Sequence, residues 1–243
     1  MYAIYIKEIN AFFSSVIGYV VIGVFILMTG LLMWVFPDYS ILDYEYATMG
    51  QLFSMGPIIF LFLIPAVCMR SFAEEQQTGT IELLVTRPIS DLSIVLGKFF
   101  AGLTLVLFAL LPTGLYYYTV HQLGSPPGNL DSGGVVGSYF GLIMLAAAFV
   151  AIGLLASSLT RNQIVAFILG TLLCFLVHWG FDLISTLPIF VGKVDDIVQM
   201  FGINYHYNSI SRGLIDTRDM IYFISIICFF IAATVVSLGR RKW

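Results

Sequence analysis

A chain of 243 residues with 59% hydrophobic and only 10% charged positions cannot cover a water-facing surface, since soluble domains carry roughly 25% charged residues. Mean hydropathy is +0.96, so each run of about 18 or more apolar residues is a candidate membrane span. The net charge of −3 leaves no basic face for nucleic acid, and the informative question is which loops hold the lysines and arginines.

In chain order, residues 1–14 mix apolar positions with the adjacent charges Lys7 and Glu8. They lack the short apolar core and small-residue site of a cleavable signal. They predict a helix lying in the inner interface, with Tyr2 and Tyr5 at headgroup level. Six spans follow. The first covers about 16–36 and stops at Pro37; the second covers about 52–69 and should kink at Pro57 and Pro65. The third, about 94–120, holds Pro112 and is long enough to tilt. A glycine-rich connection over 124–134 leads to the fourth, about 135–157, where Gly141, Ala147, Ala151 and Gly153 allow close helix packing. The fifth covers about 163–184 and the sixth about 219–238. Cys68, Cys174 and Cys228 lie inside apolar runs without metal-ligand spacing and read as small packing residues.

Loop charges set the orientation. With both termini cytoplasmic, the inner side holds Lys7, Arg70, Arg87, Lys98, Arg161, Arg240, Arg241 and Lys242, while only Lys193, Arg212 and Arg218 lie outside. That asymmetry obeys the positive-inside rule. The outer connection, 185–218, is too long and too apolar to be structureless. It predicts short helices dipping back into the outer leaflet, broken at Gly202, with Asn208, Ser209 and Ser211 on the second. Such a segment must be buried against protein.

The inner connection, 70–93, is the most patterned stretch. The second helix leaves the bilayer at Arg70 and continues through Glu74 and Glu75, both expected to face water, until Gly79 supplies a left-handed stop. Thr80 can cap a new short helix. On it Ile81, Leu84 and Val85 form one apolar face, with Glu82 and Arg87 beside it. Pro88 ends that helix, and Ser90 can cap the next span. The shape suits a docking knob for a cytoplasmic partner whose socket is apolar with a basic rim.

The string over 74–90, Glu-Glu-x-x-x-Gly-Thr-Ile-Glu-Leu-Leu-x-Thr-x-Pro-x-Ser, resembles the signature of ABC-2-type permeases. A second string, 205–222, with Tyr205, His206, Asn208, Arg212, Gly213 and Asp216, is similar to the Ser-Arg-Gly-Ile/Val-Ile-Asp lead into the last helix of that family. Asp216-Thr-Arg-Asp219 also reads unaided as a capping box. Within the family the chain looks closest to the gliding-motility permeases (the Gld-type F subunit), with the copper-enzyme maturation permeases next. The resemblance implies an all-α, six-helix membrane domain over 1–243 in the bacterial inner membrane. It implies a coupling helix at about 80–87 seated in a separate ABC ATPase subunit, a second permease copy, and an accessory membrane protein with an extracytoplasmic domain. The six residues of the second string become an external re-entrant or gate segment. The chain would need no cofactor of its own, ATP and magnesium being held by the ATPase, and would drive transport or the assembly of cell-surface gliding machinery.

The residues leave rivals to weigh. Gly97-Lys98 lacks a phosphate-loop pattern, because Leu92 stands where the first glycine belongs and Phe99 follows the lysine. Glu74 and Glu75 could be an acid–base pair only if burial split their pKa values. His178 and Asp182 lie four apart on the fifth span, on one face. With a third ligand from His121 or His206 they could serve an intramembrane protease or metal-dependent enzyme, yet neither His-Glu-x-x-His nor Gly-x-Ser-x-Gly occurs. No Asp or Glu sits near the centre of a span, which argues against a proton-coupled transporter. A membrane scaffold that transports nothing is the remaining alternative.

Overall fold

In lipid a chain must satisfy its own backbone N–H and C=O groups, so apolar runs of this length become helices. The computed structural model describes residues 1–37, 40–43, 47–80, 89–190, 192 and 194–239, and the described residues form helices and turns without a strand. Helix α1 covers Tyr2–Phe13 and α2 Val16–Trp34, the two meeting at a bend of 71°. After a short 3-10 turn at Ile41–Asp43 come α3, Gly50–Gln77, α4, Asp91–Leu110, and α5, Thr113–Leu123. Then follow α6, Ser132–Leu159, and α7, Gln163–Phe175. A π turn at Leu176–Gly180 leads into α8, Phe181–Ser185. Two short helices, α9 at Asp195–Gln199 and α10 at Ile203–Ile210, precede α11, Thr217–Gly239.

Five segments are long and apolar enough to cross a membrane: Gly50–Gln77, Asp91–Leu123, Ser132–Leu159, Gln163–Ser185 and Thr217–Gly239. The bent α1–α2 pair makes a sixth when taken as one span. A helix is therefore present as α1 where one was expected at the interface, and its Tyr5 hydroxyl donates to Thr104 of α4 (3.2 Å), so that face packs on protein. The prolines act differently from the expectation. Helix α3 runs on through Pro57 and Pro65, whereas Pro112 divides the third span. There the Thr113 hydroxyl donates to the Leu110 carbonyl (2.6 Å), covering an acceptor that the interrupted ladder would leave bare.

Helix α6 is the centre of the bundle. In its apolar stretch 78% is buried, against 28% in the fifth and last spans. It packs on α3, α4, α7, α10 and α11, and its small residues permit the approach: a Cβ on Gly141 would meet Ile210 Cγ2 at 2.6 Å, and one on Gly153 would meet Cys68 Cβ at 2.8 Å. The small-residue stripe is thus an intrasubunit packing surface. By contrast α2 exposes Val20, Val24 and Leu27, and α7 exposes Ile164, Ile168 and Leu172. Apolar faces of that extent suit lipid or another subunit, not water.

Candidate functional site

Two polar clusters stand at opposite ends of the bundle. The first surrounds the stems of the 78–90 loop. Helix α3 ends with its Thr78 N–H donating to the Glu74 carbonyl (2.9 Å), and Gly79 follows in the left-handed region at φ +73°, the stop expected from sequence. The Thr80 hydroxyl bonds back to the Glu75 carbonyl (3.4 Å). Ile81, Glu82, Leu84, Val85 and Arg87 lie outside the described residues. Across the loop, Ser90 is the N-cap of α4 and accepts from the Ser93 N–H (3.3 Å), as its type and position predict.

The two acidic residues part company here. Glu74 is part-exposed and forms a two-point pair with Arg70 of the preceding turn (2.8 and 3.0 Å). Glu75, expected in water, is instead buried at 7% exposure. Its carboxylate accepts from Lys7 of α1 (2.5 Å) and lies 3.0 Å from Lys98 of α4. Lys98 also donates to Glu8 (2.7 Å) and to the Ser71 carbonyl (2.6 Å), and its ammonium stands 5.0 Å from the centre of the Phe72 ring. Counted from sequence among the loop cations, Lys98 is in fact enclosed within the third span. Two lysines and two glutamates from three helices therefore lock α1, α3 and α4 together beneath the loop. Beside them is a cavity of about 290 Å³, lined also by Ala66, Ser71, Ala101 and Leu105. An acid–base role for Glu74 with Glu75 loses its premise, since each carboxylate is held by a cation of its own.

Above this network α6 grips α3. The Ser157 hydroxyl accepts from the N–H groups of Phe72 and Ala73 (3.0 and 3.1 Å) and donates to the Met69 carbonyl (3.0 Å). A side chain of one helix thus shares the backbone ladder of another, a recognised cause of local helix deformation.

The second cluster gathers α8, α9, α10 and the start of α11 around a pocket of about 440 Å³. Gly202, in extended conformation, caps α10, which is the break expected. Of the predicted external residues, Tyr205, Asn208, Arg212 and Asp216 line the pocket. His206 lies behind its wall, bonded through Nδ1 to Asp219 Oδ1 (2.7 Å). Gly213 does something different. At φ +85° it lies so close to α6 that a Cβ on Gly137 would come within 2.5 Å of its carbonyl oxygen, so the glycine of the motif is a packing requirement. Only half of the expected capping box forms. Asp216 Oδ1 accepts from the Arg218 N–H (2.9 Å), whereas Asp219 is turned to His206.

Sequence reasoning missed the ties that fix this segment: Tyr207 donates to the Phe53 carbonyl (2.6 Å), Tyr222 to the Phe201 carbonyl (2.6 Å), and Asn204 to Asp182. Each joins residues far apart in the chain, where no periodicity signals them. His178 and Asp182 do not pair. The π turn offsets the regular i, i+4 relation. His178 is fully buried among Phe149, Trp179 and Tyr207, while Asp182 holds Asn204. His121 and His206 do not join them, and among the described residues no three metal-ligating side chains come together.

A helical bundle with lipid-compatible outer faces, a buried charge network at one end and a polar segment packed back on the other defines a polytopic membrane protein. Over residues 2–243 the chain matches the family described as ABC-2 family transporter protein; it belongs to that family. It is also similar to the probable multidrug ABC transporter permease YbhR of Escherichia coli, from strain K12 and from O157:H7. Identity with each is 28% over 130 residues, covering 52% of this chain and 32% of the relative. The matched stretch thus spans about a third of those relatives' length.

Proposed function

We propose that this chain is the membrane subunit of an ATP-driven assembly, docking a separate ABC ATPase through residues 70–90. The observation that carries the reading is the charge network beneath that loop. Because Glu75 and Lys98 join α3 to α4 and Lys7 and Glu8 bring in α1, a push on the loop is delivered to three helices at once. Residues about 80–87 form the coupling helix, with Ile81, Leu84 and Val85 entering the ATPase and the Arg70–Glu74 pair at its rim. The chain lies in a bacterial inner membrane with both termini cytoplasmic and segment 185–218 re-entrant from outside. It pairs with a second copy through the apolar faces of α2 or α7, and an accessory membrane protein completes the assembly.

The test is co-purification. Ile81→Asp puts a carboxylate on the docking face and is expected to abolish ATPase association while leaving membrane insertion intact; an undiminished yield of ATPase overturns the reading. Glu75→Lys is not diagnostic, because it places a third cation between Lys7 and Lys98 and disturbs the fold itself. For cargo, the strings at 74–90 and 205–222 favour gliding-type surface machinery, while likeness to YbhR supports drug export as a second reading. A strain lacking the chain separates them: the first predicts loss of surface motility, the second hypersensitivity to drugs.

A further inference from the structure

His206 is buried at 5% exposure and Asp219 at 4%, and the imidazole is stacked on Tyr222 with centroids 3.9 Å apart. Both ring nitrogens are engaged. Nε2 is 2.9 Å from the Met200 carbonyl oxygen, and Nδ1 is 2.7 Å from Asp219 Oδ1. A carbonyl only accepts, so Nε2 carries a hydrogen. A carboxylate also only accepts. Either Nδ1 carries a second hydrogen, making an imidazolium, or Asp219 is the protonated partner and donates to a bare Nδ1. Both assignments contain one proton more than a neutral imidazole beside a carboxylate. Without that proton, two lone pairs would face each other, at 2.7 Å across Asp219 or at 2.9 Å across the Met200 carbonyl, and a net negative charge would be buried.

Among the described residues no lysine or arginine pairs with that charge. Among the described residues the only ion pair of Asp219 is with His206, and Asp219 Oδ2 is buried without a partner. The surroundings can be named element by element. From α11 come Tyr222 and, one residue before Asp219, Arg218. From α10, Tyr205 stands edge-on to the ring at 5.3 Å. Arg212 and Asp216 of the connecting turn and Asp182 of α8 line the pocket beyond Asp219, and Asp182 is engaged by Asn204. Helix α9 has Asp195 and Asp196 in its first turn, before Met200. The π turn brings His178 against Tyr207, and α6 has no charged residue. A proton is the remaining source of compensation.

We propose that His206 and Asp219 form a one-proton binding site that fastens α10 to α11. Loss of the proton leaves the ring one hydrogen for two acceptors, so its contact with either Asp219 or the Met200 carbonyl becomes repulsive and α10 loosens. The site and its test involve this chain alone, so they stand apart from the ATPase reading.

The test uses the full chain in lipid nanodiscs. With only three histidines in the sequence, nitrogen-15 imidazole spectra assign His206 by its loss in His206→Gln. Two protonated ring nitrogens support the proposal. So does a bare Nδ1 accompanied by a carboxylic-acid infrared band that vanishes in Asp219→Asn. Either ring nitrogen bare with no such band, in a folded chain, overturns it. A second measurement follows α10 directly. Ser209→Cys should be labelled several-fold faster at alkaline pH, relative to the exposed control Gln122→Cys. Adding Asp219→Asn supplies an N–H donor to a bare Nδ1 and removes the need for the proton, so that rise should disappear. The same pH dependence with and without Asp219→Asn overturns the proposal.

Discussion

Replacing Lys98 with methionine tests whether the network beneath the loop is what holds α1, α3 and α4 together. The Lys98 side chain is fully buried, and its removal strips Glu8 of a hydrogen bond at 2.7 Å, Glu75 of an ion-pair partner at 3.0 Å, and the Ser71 carbonyl of its donor. Glu75 would keep only Lys7 as a counterion. Methionine fills nearly the same volume, so the cost is electrostatic and not a cavity. Removing one partner of a buried ion pair costs about 3–5 kcal/mol, and losing the contact with the Phe72 ring adds about 1 kcal/mol. A loss of about 5 kcal/mol is therefore expected, read as a fall in unfolding free energy by denaturant titration in detergent micelles. Adding Glu75→Gln removes the stranded carboxylate and should recover about half of it, because replacing both partners is far milder than breaking the pair. Lys7→Met supplies the control. Its side chain is 53% exposed, and a solvated partner contributes no more than about 1 kcal/mol. The reasoning is refuted if Lys98→Met stays within about 1 kcal/mol of wild type, or if Glu75→Gln deepens its loss additively.

Two further outcomes are expected. Gly213→Ala should destabilise by about 2 kcal/mol or more, because its positive φ disfavours a Cβ and that atom would fall on the Gly134 backbone. Gly23→Ala, where nothing lies within 4 Å, should instead be neutral or gain up to about 1 kcal/mol within α2; equal effects in thermal unfolding would refute the distinction. In sealed vesicles of known orientation, Ser90→Cys should react with an impermeant thiol reagent only from the cytoplasmic face and Ser209→Cys only from outside. The reverse pattern overturns the topology.

What could be read from the chain divides along a physical line. Gly79, Ser90 and Gly202 were legible because a left-handed stop, an N-cap and a helix break are written in residues within a turn of where they act. Span positions were legible because apolar length is itself the signal. The Lys98–Glu8 and Lys7–Glu75 pairs were not, since they join residues 90 and 68 positions apart. Lys98 lies so near a span boundary that sequence placed it with the loop cations. Asp219 shows a competition that sequence cannot weigh: a capping-box position was available locally, and a buried histidine thirteen residues away took it. Pro112 and the prolines of α3 make the same point, as residue type alone does not say whether a neighbouring hydroxyl will cover the freed carbonyl.

The two clusters are tied to one element. Helix α6 has 28 residues, and at 1.5 Å per residue it is about 42 Å long, more than the roughly 30 Å of a hydrocarbon core. At one end Ser157 enters the ladder of α3, and the Ser158 carbonyl accepts from Gln76 (3.0 Å), a single residue beyond Glu75. At the other end the Ser138 hydroxyl donates to the Ser211 carbonyl (2.8 Å), and Gly137 lies against Gly213, within the turn that joins α10 to α11. These contacts are backbone-directed or backbone-to-backbone, so neither end can slide along α6 by rotating a side chain. A displacement of the α3 terminus must therefore either break the Ser157 bonds or move α6. If α6 moves as a rod, the turn holding the His206–Asp219 pair moves with it. The case for that link is contiguity of tightly packed elements, and coupling itself is a measured energy. Contiguity is met here, because the most deeply buried span has no charged residue and is tied at both ends by side-chain bonds to backbone groups.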